Sequence, residues 1–133
     1  MLNLTIKDKV YPFSFGVGFV RKISPRETEV VNGRKVEVGV QFAIAAAIDR
    51  DVLALVDVLL IANEMTDGEK VTKKLLDFYF DEECTDLDAL CDEILDFFEH
   101  TNATKKAYKN VQELLAAQKA KAEQQKKAES EQK

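Results

Sequence analysis

The fold is decided by the most apolar part of the chain, residues 36–62, which read VEVGVQFAIAAAIDRDVLALVDVLLIA. Val40 to Ile48 is rich in alanine, which favours a helix, and Asp49-Arg50 stops it. Asp51 can cap a second helix from Val52 to Ala62, whose residues are apolar almost all round. Such a helix is normally packed on several sides, so we expect it at the centre of the molecule. Polar residues interrupt the stretch, and each apolar run is therefore too short to span a bilayer.

An N-terminal β-hairpin is predicted before this stretch. Leu2, Leu4 and Ile6 alternate with polar residues, which is the period of a half-buried strand. A turn at Asp8-Lys9 and an extended segment from Val10 to Phe15 complete the hairpin.

A short helix and a second hairpin follow. Gly16 to Ile23 predicts a short helix or helical turn that ends before Pro25. Thr28–Val31 and Lys35–Val38 are rich in β-formers, and the dipeptide Asn32-Gly33 between them strongly favours a tight hairpin turn.

Two further helices are predicted after residue 62. Thr66 with Glu69 resembles a capping box for the first, and Thr85 with Asp88 resembles a better one for the second. The second helix carries a clean apolar stripe at helical spacing, made by Leu87, Leu90, Cys91, Ile94, Leu95 and Phe98.

The composition changes after Asn102. A weak amphipathic pattern continues through Tyr108, Val111, Leu114 and Leu115, and from Ala116 no large apolar residue is left. We therefore predict a single α+β domain over residues 1–111, with the hairpin region packed against a bundle of four to five α-helices. Residues 112–133 are predicted to be a low-complexity charged tail, either a frayed helix or disordered.

The charge of the chain excludes two classes of partner. The chain of 133 residues has a net charge of −5 and no visible basic patch, so neither nucleic acid nor an anionic membrane surface is expected as a partner.

The two cysteines are not expected to form a disulfide. Cys84 and Cys91 are seven positions apart, which is ~10 Å on a helix and too long for that bond. We expect both to be reduced, partly buried side chains, which fits a cytoplasmic protein.

No catalytic, metal or cofactor site is predicted. The acidic run between Leu75 and His100 lacks the central glycine of a calcium loop. His100, the single histidine, lies beside a threonine at a helix end in a surface-like context, and no catalytic set is visible around it. The run is interpreted either as a solvated face or as a negative surface that recognises a basic partner. Leu76 and Phe80 are either buried by the C-terminal tail or another helix, or they form a docking patch for a partner helix. The candidate partner-binding residues are Leu76, Phe80, Phe97 and Tyr108.

The order of several segments also carries a family resemblance. They are Phe15-Gly16-Val17-Gly18-Phe19, Gly39 with its alanine-rich helix, Val52–Ala62, Lys74-Leu75-Leu76-Asp77, Asp86–Phe98 and Thr104-Lys105-Lys106. Together, over roughly residues 1–110, they resemble the tail assembly chaperones of long-tailed phages and prophages of Gram-positive bacteria.

The resemblance implies a function. Such chaperones bind the long, largely helical tape measure protein, keep it soluble, promote assembly of the tail tube and are absent from the mature virion. It implies the host cell cytoplasm as location, the tape measure protein as partner and the major tail tube protein as a further one, and it leaves weak self-association open. No cofactor and no enzymatic activity are implied.

Two other functions stay open at this point. One is a structural tail component, such as a terminator or connector. The other is a bacterial protein-binding adaptor.

Overall fold

Four strands and six α-helices form the part of the chain that this computed structural model describes, residues 1–131, with side chains described for residues 1–124. The strands are β1 (Leu2–Ile6), β2 (Lys9–Phe13), β3 (Thr28–Val31) and β4 (Arg34–Glu37). The helices are α1 (Val17–Ile23), α2 (Gly39–Ile48), α3 (Val52–Glu64), α4 (Lys73–Phe78), α5 (Leu87–His100) and α6 (Lys105–Glu131). A 3-10 turn (Ser24–Arg26) follows α1, and a π-helical turn (Tyr79–Glu83) follows α4. The predicted α+β fold is confirmed.

The first hairpin pairs β1 with β2 in antiparallel register, from Leu2 opposite Phe13 to Ile6 opposite Lys9. Its turn lies at Lys7-Asp8, one residue before the predicted position, and both residues have the positive φ that a tight hairpin turn requires. The apolar residues of β1 are buried and its polar residues are exposed, as the alternation predicts. This hairpin therefore covers one side of the core.

The core is centred on α3, as the sequence predicts. This helix packs against α1, α2, α4 and β2, and Leu55 and Leu59 have no exposed surface. The side chain of Asp51 caps α3 by accepting a 3.2 Å hydrogen bond from the main-chain N–H of Ala54. A cluster of aromatic rings joins α1 to α5, with Phe15 lying 5.2 Å from Phe19 and 5.1 Å from Phe98 between ring centroids.

The predicted capping box at Thr66 is wrong. The Thr66 hydroxyl is buried and donates to the main-chain oxygen of Asn63, 2.8 Å away. Asn63 also accepts the main-chain N–H of Val71 at 2.7 Å, which holds the intervening residues in a loop. The next helix, α4, therefore begins only at Lys73, with the Thr72 hydroxyl as its N-cap.

The start of α5 differs from the prediction by one residue. The side chain of Asp86, and not that of Thr85, accepts the main-chain N–H of Ala89 at 3.0 Å. The predicted apolar stripe of α5 is confirmed, because Leu90, Cys91 and Ile94 are buried. Cys84 is half-buried, and both cysteines are free thiols in the structure.

The C-terminal segment continues α6 as a helix to Glu131. Residues 132 and 133, which belong to the predicted tail, lie outside the described residues. The division of the chain at residue 111 stays a prediction. Across residues 1–131, none of the helices combines the length and the apolar character that crossing a membrane requires.

Candidate partner-binding surface

An open groove of about 400 Å³ lies between α2, α6 and the β3–β4 hairpin. Its apolar lining comes from Val38 and the helices α2 and α6, and its polar lining is sparse. The lining residues are Glu29, Val38, Gln41, Phe42, Ala45, Asn110, Val111, Leu114, Leu115 and Gln118. The α2 wall of the groove is formed by the lining residues between Val38 and Ala45. The α6 wall is formed by the lining residues between Val111 and Gln118.

The two walls have the same helical spacing. Residues 38, 41, 42 and 45 line one wall and residues 111, 114, 115 and 118 line the other, so each wall follows the i, i+3, i+4, i+7 pattern of a single helix face. At 1.5 Å per residue each wall is ~10 Å long. The groove therefore has the shape and length of two helical turns.

The groove exposes large apolar side chains to solvent. Phe42 is 49% exposed and Leu114 is 62% exposed, and Leu115 beside them is 39% exposed. Single exposed apolar residues are common on protein surfaces, but contiguous ones that line a concave surface mark a binding site. This groove is therefore the candidate partner-binding surface.

Hydrogen bonds hold the chain in place beside both walls. The main-chain N–H of Val38 donates to the main-chain oxygen of Glu27 at 2.8 Å, which closes the base of the β3–β4 hairpin beside the start of α2. The hydroxyl of Thr104, a residue with no exposed surface, donates to the main-chain oxygen of Phe98 at 2.8 Å. This second bond ties the start of α6 to the end of α5, so the groove is formed before any partner binds.

The β3–β4 hairpin extends the apolar surface beyond the groove. Its register places Glu29 opposite Val36 and Val31 opposite Arg34, and these four residues share one face. Glu29 lines the groove, and Val31 and Val36 on the same face are 47% and 41% exposed. All eight strand residues of this hairpin are exposed.

Several acidic residues around α5 have structural roles. Arg50 donates to the carboxylates of Asp88 and Asp92 at 3.0 and 2.8 Å, which joins the α2–α3 corner to α5. These two hydrogen bonds raise the pKa of the Arg50 guanidinium above its ordinary value. Glu83 accepts the main-chain N–H of Lys7 at 2.8 Å in the turn of the first hairpin. The acidic run is thus partly a set of local stabilising contacts, and its remaining carboxylates form an exposed negative surface.

One exposed helical turn brings together side chains of the metal-binding type. Ligand atoms of Asp96, Glu99 and His100 lie within 4.8 Å of one another, and all three residues are exposed. Nδ1 of His100 lies 2.9 Å from the main-chain oxygen of Asp96, and this hydrogen bond, with the Asp96 carboxylate, raises the pKa of the imidazole. The contact places a protonatable side chain at the C-terminus of α5, where the helix dipole favours positive charge.

The four residues predicted to bind a partner lie outside the groove. Leu76 has no exposed surface and belongs to the core, which matches the first of the two alternatives stated for it. Phe80 is half-buried and stacks on Tyr79 with ring centroids 5.5 Å apart, and Phe97 is half-buried with its ring 6.0 Å from Phe15. Tyr108 is half-buried on α6 and lines an open depression together with Glu99, Lys105, Lys106, Lys109 and Gln112. A binding role for Phe80, Phe97 and Tyr108 stays a prediction.

The sequence reasoning missed Phe42, and it noted Leu114 and Leu115 only as part of a weak pattern. The available signal was the spacing, since Phe42 and Leu114 each lie within an i, i+3, i+4, i+7 set. Spacing reveals an apolar helix face but not whether another helix covers it. Only the fold shows that these two faces line an open groove.

Comparison with known proteins identifies the family. Residues 3–113 match the model of the family described as phage tail assembly chaperone protein, TAC. No curated protein and no solved structure gave a significant match. The match covers α1 to α5, both hairpins and the first turns of α6, including the α2 wall and Val111. The chain therefore belongs to the phage tail assembly chaperone family.

Proposed function

We propose that this chaperone binds the tape measure protein of its phage, keeps it soluble and promotes assembly of the tail tube around it. Family membership supports a role in tail assembly with tail proteins as partners. The observation that carries the finer assignment is the open apolar groove, whose exposed Phe42 and Leu114 offer a binding surface for an apolar helix face.

The physical argument concerns the client before assembly. A long helical protein that will line a tube has apolar stripes that stay uncovered until the tube forms, and such stripes cause aggregation. A chaperone that covers them with its own apolar groove removes that surface from water. The net charge of −5 on each bound copy keeps the complex dispersed by mutual repulsion.

The remaining parts of the proposal follow from the same role. The major tail tube protein is a further partner. Copies of the chaperone bound to one tape measure protein lie close together, so weak self-association adds to their affinity for that client. The chain acts in the host cell cytoplasm and leaves before the virion is complete. It acts by binding alone and carries out no covalent chemistry.

The proposal is tested by deleting the gene from its phage and by analysing wild-type particles. Lysates of the deletion phage should contain filled heads without tails, and a plasmid copy of the gene should restore tails. Mass spectrometry of purified wild-type virions should detect the tape measure protein but not this chain. A fixed number of copies of the chain in purified virions would contradict the proposal and would indicate a structural tail component instead.

A further inference from the structure

We propose that the groove between α2 and α6 binds one amphipathic helix of the tape measure protein, with a lysine or arginine beside its apolar stripe that pairs with Glu29. This inference rests on the proposed function, because it takes the tape measure protein as the client. It identifies the surface that binds this client and the sequence pattern that the surface selects in the client.

The shape of the groove favours a helix as the occupant. Both walls are helix faces with the same spacing, each ~10 Å long. A third helix packs between two helices when its side chains at i, i+3, i+4 and i+7 enter the space between them. Such a helix would cover Phe42 and Leu114, the two large apolar side chains that the groove leaves most exposed.

The charge of the groove sets a second requirement. Glu29 is the charged side chain in the described lining, and the other polar lining residues are the uncharged Gln41, Asn110 and Gln118. A cation on the client therefore has one exposed carboxylate to pair with at the edge of the apolar lining. A client helix with an acidic residue at that place would instead bring two negative charges together, which costs affinity.

Matched variants separate this groove from the rest of the surface. Phe42→Glu and Leu114→Glu each place a charge in the groove, and since both side chains are about half exposed or more and lie outside the buried core, the core remains intact. Leu53→Glu is the control, because Leu53 is 82% exposed on α3 and does not line the groove. Glu29→Lys tests the charge, and Glu37→Lys, on the opposite face of the same hairpin, is its control.

The experiment uses synthetic peptides of about 20 residues, long enough for ~30 Å of helix, that tile the tape measure protein of the same phage. Binding to the full-length chain is measured by fluorescence anisotropy, and the peptides that bind are examined by circular dichroism. We expect the bound peptides to become helical and to carry apolar residues at i, i+3, i+4 and i+7 with a lysine or arginine alongside.

Phe42→Glu and Leu114→Glu should raise Kd at least about tenfold, as hot-spot residues do. Glu29→Lys should raise Kd by about threefold to tenfold, because it removes one ion pair at the interface rim and also brings two positive charges together. Leu53→Glu and Glu37→Lys should leave Kd unchanged.

Failure of the inference is distinguishable from failure of the proposed function. If the wild-type chain binds no segment of the tape measure protein, the proposed function fails, and the inference fails with it. If the wild-type chain binds and the groove variants bind equally well, only the inference is overturned. The inference is also overturned if the bound peptides are extended, as in strand addition to the hairpin. A further contradiction would be that Leu114→Glu dissociates an oligomer of the chain without changing client binding.

Discussion

The side-chain amide of Asn63, at the end of α3, donates a 2.9 Å hydrogen bond to the main-chain oxygen of Pro12 in β2. The same amide nitrogen donates to the main-chain oxygen of Glu69 at 2.9 Å, and the amide oxygen accepts the N–H of Val71. Asn63 is 1% exposed, so its amide would be left unpaired inside the protein without these bonds. One buried side chain thus joins the first hairpin, the central helix and the loop before α4.

Asn63→Asp should destabilise the fold by about 2–4 kcal/mol, because a carboxylate keeps the acceptor but faces two carbonyl oxygens without a donor. Urea denaturation followed by circular dichroism measures the change in the free energy of unfolding. Asn102→Asp is the control, since Asn102 is exposed and the same chemical change there should cost little. Equal stability of the two variants would contradict the role assigned to Asn63.

Gly39→Ala should also destabilise the fold, by about 2–4 kcal/mol, because a methyl group there overlaps main-chain atoms. An ideal Cβ on Gly39 lies 1.7 Å from the main-chain oxygen of Ile23, so α1 and α2 would have to move apart. At Gly16 the nearest atom to an added Cβ is the Ser14 hydroxyl at 3.7 Å, and Gly16→Ala should be tolerated. Thermal denaturation measures the melting temperatures of the two variants. If Gly39→Ala melts at the same temperature as wild type, α1 and α2 do not meet this closely.

The pKa of His100 should lie above the ordinary value of a histidine side chain, because the Asp96 carbonyl and carboxylate favour the protonated ring. A raised folded-state pKa means that the contribution to stability is fully present below the unfolded pKa and is lost as the pH rises through the folded pKa. The contribution is small, since the side chain is exposed. As His100 is the single histidine, its NMR signal gives the pKa directly. Asp96→Asn should lower this pKa. An unchanged pKa would show that the Asp96 carboxylate does not contribute to the shift.

Removing residues 116–133 should leave the thermal transition of the domain within about 2 °C of wild type. Residues 116–124 are all exposed on α6 and bury nothing that the core needs. Truncation from Tyr108 onward should lower the melting temperature, because Tyr108 and Val111 are partly buried against the core. A large effect of the shorter truncation would mean that the tail stabilises the domain.

Much of the fold could be predicted from local patterns. The Asn32-Gly33 turn, the alternation in β1 and the apolar stripe of α5 each specify one element by its own residues. The loop before α4 could not be predicted in this way. Thr66 has the sequence of a helix cap, but its hydroxyl donates to the main-chain oxygen of Asn63, three residues earlier. The side chain of Asn63 is in turn held by the main-chain oxygen of Pro12 in the first hairpin, a contact that the local sequence does not reveal.

The candidate site was less predictable than the fold. Leu76 and Phe42 both lie on apolar helix faces, yet Leu76 is completely buried and Phe42 is 49% exposed. The difference comes from the neighbouring helices, which cover α4 but leave one face of α2 open. Sequence periodicity shows which residues share a face, and packing decides whether that face is core or binding surface.

The most direct test of the proposed chaperone function is the solubility of the tape measure protein with and without this chain. The two proteins are co-expressed in a host without other phage genes, and the supernatant and pellet are compared after centrifugation. We expect the tape measure protein to be in the pellet when expressed alone and in the supernatant when co-expressed, in a complex with several copies of the chain. A tape measure protein that is equally insoluble in both cases, with no complex in the supernatant, would contradict the proposed function.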